Sequence, residues 1–233
     1  SACDELGGTR EQRSFFPSYG LRPVRPLPPC GPEYFPQFYQ QFVHHMDIEM
    51  EGVSLNAVRL KSILPTMSSK NLKRIDLSSN YGLGVAGWYT LSNYLLQEDL
   101  AFFNQLTNLS LDRTSCTSLD PLVTLLSSGH AVNLSSLSIA NNPIPDSEFK
   151  KLASVLPSAT KLTYLSMYST PLALEGLKAL LTQIEQLDPS GRKISLTIGE
   201  GCALQVADVE TIAQLFPSKF LKNCLSFWGD GQV

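Results

Sequence analysis

Residues 134–156 read LSSLSIANNPIPDSEFKKLASVL: a short segment apolar at Leu134, Leu137 and Ile139, a turn, then Phe149, Leu152, Val155 and Leu156 at helical spacing. The first spacing suits a strand with one buried face, and the second suits an amphipathic helix. The same opening, Leu-x-x-Leu-x-Leu or a close variant, starts at Val43, Leu72, Leu106, Leu134, Leu162, Lys193 and Lys222. Successive starts lie 29, 34, 28, 28, 31 and 29 residues apart.

The alignment exceeds chance. Positions 1, 4 and 6 of the seven units, Val43, Met46 and Ile48 in the first, are apolar at nineteen of 21 places, where a composition of 43% hydrophobic residues places about nine. The exceptions, Lys193 and Lys222, open the last two units, and terminal units deviate. Position 11 repeats the bias through Val53, Cys116, Ile144, Leu172 and Ala203, with Leu83 beside Gly82 in the second unit. A period of about 20–50 residues marks a solenoid, whose units bury an apolar face only by stacking on neighbours. The expected fold class is therefore α/β: a curved parallel sheet of about seven strands on the concave side and helices on the convex side.

These residues resemble the leucine-rich repeats of the ribonuclease-inhibitor-like type, whose unit also holds a strand and a full helix. The resemblance covers residue 43 onward. It implies an Asn at position 9 that hydrogen-bonds backbone in the turn leaving the strand. Asn80 and Asn142 fit, whereas Glu51, Thr114, Thr170 and Gly201 depart. A threonine hydroxyl offers one donor where an amide offers two, so those turns are expected to be looser or water-bridged.

The expected organisation is an extended N-terminal arm over 1–32, a helical cap over 33–42 and the solenoid over 43–233. The arm is rich in Pro, Arg and aromatics and cannot build its own core. Phe15, Phe16, Arg22 and Arg25 are its candidate partner contacts, because aromatics and Arg anchor interfaces. In the cap, Phe35, Phe38, Tyr39 and Phe42 fall at i, i+3, i+4 and i+7 and would cover the open end of the first unit. The 34-residue unit carries extra sequence around Leu100, Phe102 and Phe103, which maps to a bulge on one rim.

Strand alternation places positions 5 and 7 on the face opposite the core. These include Asp47, Glu49, Asp76 and Asp112 in the first three units and Tyr168 and Trp228 in later ones. An acidic half would attract a basic partner, and the aromatics would anchor the rest.

Other classes fare worse. A net charge of −3, from 18 basic and 21 acidic residues without a basic cluster, argues against nucleic acid. No apolar stretch is long enough for a membrane span. The five cysteines, at 3, 30, 116, 202 and 224, show neither paired spacing nor a metal motif, which suits a reducing, intracellular setting. Cytoplasm is the expected location, with an organelle such as the mitochondrion left open. Asn108-Leu-Ser and Asn133-Leu-Ser are formal glycosylation sequons that the repeat itself generates. The three histidines, His44, His45 and His130, form no catalytic or metal constellation, since neighbours on a strand point to opposite faces. Gly82-Leu-Gly84-Val-Ala-Gly87 imitates a dinucleotide fingerprint, but the repeat register explains its glycines as turn and tight packing.

The expectation is a non-enzymatic protein-interaction module with no cofactor, metal or small-molecule substrate, a scaffold subunit docking in a hetero-oligomeric complex by its concave face and arm. Relatives of the repeat type also include small-GTPase activators and ubiquitin-ligase substrate receptors, which makes a regulatory adaptor the alternative.

Overall fold

The computed structural model describes residues 47–66, 72–97 and 105–228, with the side chains of Phe227 and Trp228 outside that description. The arm over 1–32, the cap over 33–42, His44, His45 and the stretch around Leu100, Phe102 and Phe103 lie outside the described residues.

Within them the chain alternates strand and helix. β1 (Asp47–Glu49), β2 (Arg74–Asp76), β3 (Asn108–Ser110), β4 (Ser136–Ser138), β5 (Tyr164–Ser166), β6 (Ser195–Gly199) and β7 (Leu225–Trp228) form one parallel sheet in sequence order. Between them lie α1 (Ala57–Ile63), α2 (Gly84–Leu95), α3 (Asp120–Ser127), α4 (Asp146–Val155), α5 (Leu174–Leu187), α6 (Val206–Leu215) and α7 (Ser218–Cys224). Parallel neighbours need a crossover, and here each crossover is a helix that covers one face of the sheet.

The core lies between the layers. Ile75, Leu109, Leu137, Leu165 and Leu196 sit level on adjacent strands, all at 2% exposure or less. Against them pack helical residues such as Leu177, Leu180, Leu181 and Ile184 of α5, spaced i, i+3, i+4 and i+7. The turn leaving each of the first five strands is also repeated: Gly52, Ser79, Arg113, Asn141 and Ser169 all take positive φ.

Two expectations about register need correction. Ile48 sits level with Ile75, so the first unit starts two residues later than the apolar pattern suggests, at residue 45, and its buried residues are Ile48, Met50 and Leu55. A slip of two preserves parity, so Ile48 faces the core in either register. In the sixth unit Ile194, fully buried, fills the place that Lys193 vacates.

The Thr turns are not loose. Thr114 and Thr170 are fully buried, and their hydroxyls donate to the carbonyls of Leu111 at 2.9 Å and Met167 at 2.7 Å. Asn142 of the next unit completes the first of these turns, accepting at Oδ1 from the Thr114 N–H at 3.0 Å and the Cys116 N–H at 3.1 Å.

Neighbouring units also cap one another's helices. Neither α3 nor α5 has a side-chain cap of its own. The first turn of α4 supplies both. Glu148 Oε2 accepts from the Leu119 N–H at 2.8 Å and Ser118 Oγ at 3.0 Å, at the start of α3. Asp146 Oδ1 accepts from the Ala173 N–H at 2.7 Å and the Gly176 N–H at 3.1 Å, at the start of α5. Residue 176 must be glycine for this approach, because a Cβ there would collide with the Asp146 carboxylate and carbonyl. Burial pushes the Glu148 carboxyl up, but Lys151 at 2.7 Å and the Leu119 and Ser118 donors outweigh it and leave it below the ordinary range. At the other end of α4, the Arg192 guanidinium donates to the carbonyls of Leu156 and Ala159, where a cation suits the helix dipole.

Candidate protein-docking face

The sheet has a second face that no described helix covers. Alternation sends every other strand residue to it, and the parallel register lines those residues up in rows across the strands. One row runs Asp47, Arg74, Asn108, Ser136, Tyr164, Ser195. The next runs Glu49, Asp76, Ser110, Ser138, Ser166, Thr197, Ser226. A third, just past the strands, holds Ser78, Asp112, Ala140 and Tyr168, linked by backbone bonds that continue the ladder, such as Ser79 N–H to the Asp112 carbonyl at 2.8 Å.

Asp47, Glu49, Asp76, Asp112 and Tyr168 thus share one face. The β7 backbone brings Trp228 to the same edge of the sheet; its side chain, like Phe15, Phe16, Arg22 and Arg25, lies outside the described residues. Alternation reaches position 3 as well as 5 and 7, and so adds Tyr164, which the sequence reading overlooked. It also places Arg74 on the face, where its guanidinium lies 3.8 Å from Glu49.

The middle of this face is a low floor of hydroxyls. Ser110, Ser138, Ser166 and Thr197 are all at 1% exposure or less. Two of them bond to hydroxyls beside them: Ser78 Oγ and Ser110 Oγ lie 2.7 Å apart, and Thr197 Oγ1 and Ser226 Oγ lie 3.1 Å apart. Larger residues stand around this floor. Burial raises the phenol of Tyr164 above its ordinary value, partly offset by Thr197 and Ser166 beside it.

The acids divide into two kinds. Asp47 and Glu49 are half-buried and meet solvent, but Asp76 and Asp112 are only 9% exposed. Burial raises Asp76 above the ordinary carboxylate range, against the opposing pull of the Ser78 hydroxyl and N–H. The acidic half is therefore weaker as a field than its four carboxylates suggest.

The remaining reactive groups are dispersed. Among the described residues no group of three or more His, Cys, Asp and Glu is disposed to hold a metal. Cys116 and Cys224 are buried, and burial pushes both thiols up to about 11, away from the nucleophilic thiolate. No described helix is long and apolar enough to cross a membrane. No known protein family matches the chain, and no curated protein matches it either.

Proposed function

We propose that this chain is a leucine-rich-repeat protein of the ribonuclease-inhibitor-like type and a non-enzymatic interaction module, a scaffold subunit that docks a protein partner on its open sheet face within an intracellular assembly. One observation carries the reading: seven parallel strands in sequence order carry their crossover helices on one face, and among the described residues no helix lies on the other. Such a sheet normally has both faces covered, so an open one is a surface set aside for contact. The repeat assignment is supported by the left-handed residue at the same place in successive turns and by the buried Asn80 and Asn142, each bonding backbone of two units.

The face combines a low floor of hydroxyls with a half-buried aromatic, Tyr168, and with half-buried charge at Asp47, Glu49 and Arg74. Aromatic anchors beside shallow polar ground are the usual makings of an interface hot spot. Recovery of partners from native extract with tagged protein tests this. Tyr168→Ala and Glu49→Lys are expected to reduce recovery about tenfold or more, the effect of losing roughly 1.4 kcal/mol or more at a hot spot. Tyr89→Ala, on the outer side of α2, should leave recovery unchanged. Equal recovery by all three variants would reject the face as the docking surface.

A further inference from the structure

The acids of the open face stand at the end of the sheet where the chain's own arm is attached. Asp47, Glu49, Asp76 and Asp112 belong to β1, β2 and the turn after β3, whereas the β4 segment brings only Ser136, Ser138 and Ala140 to this face. Against the four carboxylates stand Arg74, 3.8 Å from Glu49, and Arg113 in the turn after β3, which leaves an acidic surplus. Asp112 accepts from Ser138 Oγ at 2.6 Å and from the Ala140 N–H at 2.8 Å, both at Oδ1. Such donors favour the charged carboxylate, and they leave Oδ2 for a further cation.

The sequence supplies cations on the adjoining segment. Residues 12–32 contain Arg13, Arg22 and Arg25 and no acid. The arm meets the sheet at its acidic edge, since β1 opens at Asp47, with Arg25 lying 22 positions before it and Arg22 lying 25. From β1 to β3 is two strand spacings, about 10 Å. A connection of that length, at up to about 3.3 Å per residue, covers the distance several times over. Covalent attachment also gives these arginines a local concentration that a free basic segment lacks.

We propose that Arg22 and Arg25 of the N-terminal arm pair with the acidic half of the open face, Glu49 and Asp112 foremost, so that the arm is an intramolecular strap over β1–β3. The contact rests on charge, order and reach within one chain. It leaves the half of the face that holds Tyr168 free, and it stands whether or not a partner docks there.

Photo-crosslinking in the full chain tests the strap. With p-benzoylphenylalanine in place of Val24, between the two arginines, irradiation of dilute protein should give adducts within residues 47–49, 74–78 or 108–112, mapped by mass spectrometry of the digested monomer. Glu49→Lys should lower their yield several-fold, and adding Arg22→Glu and Arg25→Glu should restore most of it. A Glu49→Lys chain that had merely misfolded would gain nothing from changes in the arm. Raising salt from about 0.05 to 0.5 M should also lower the yield several-fold without any substitution in the sheet, because screening weakens such pairs. No adduct on the sheet, adducts only between chains, or a sheet yield indifferent to both charge reversal and salt would overturn the proposal.

Discussion

Asn142→Ala is expected to destabilise the fold by about 3–4 kcal/mol, seen as a lower urea midpoint with little change in slope. The side chain is 1% exposed and serves two units at once. Its Nδ2 lies within 2.9–3.1 Å of the carbonyls of Leu111, Ile139 and Ala140, and its Oδ1 accepts from the Thr114 and Cys116 N–H groups. Truncation strands those buried donors, each costing about 1–3 kcal/mol when unpaired, less whatever water recovers. Asn142→Asp should fail as badly, because a carboxylate cannot donate to the three carbonyls.

Trp88→Ala is the second large effect, about 3–5 kcal/mol. Trp88 is among the largest fully buried side chains, 1% exposed in α2, and its Nε1–H donates to Thr114 Oγ1 at 2.9 Å. Removing it opens a cavity between the second and third units and deprives the Thr114 turn of a bond. Trp88→Phe separates the two contributions: it keeps most of the ring volume and loses the donor, so it should cost about 1–2 kcal/mol. Calorimetric or urea unfolding of the three proteins checks the order. A phenylalanine variant as unstable as the alanine variant would assign the effect to the hydrogen bond.

The strand and helix content was legible because its signal is dense. Most of the apolar positions from Leu72 onward land in the core. The first unit was misplaced because a slip of two preserves parity. The informative residue there was Gly52, which takes the left-handed place that Ser79 and Arg113 hold in the next units. The caps supplied by Asp146 and Glu148 had no local signature, since each acts across 27–30 residues onto a neighbouring unit. Only Gly176, an unexpected glycine in the first turn of α5, hinted at a close approach.

For the face, alternation gave the right side of the sheet, but composition could not give depth. Asp76 and Asp112 read as surface acids in sequence, yet each is only 9% exposed. Tyr164 was overlooked because only two of the three outward positions were considered. Thr114 looked like a weak substitute for asparagine, yet Trp88 and Asn142 approach it from the units before and after. The solvation of such groups depends on the neighbouring units, which a one-unit pattern does not contain.

Hydroxyl-radical footprinting of the native assembly against the isolated chain tests the central claim most directly. Tyr168 lies on the open sheet face and Tyr89 on the outer side of α2, where it is 42% exposed. A partner docked on the sheet should lower oxidation of Tyr168 several-fold in the assembly and leave Tyr89 unchanged. Protection of Tyr89 and Val58, with Tyr168 as reactive as in the isolated chain, would place the partner on the helices and contradict the account.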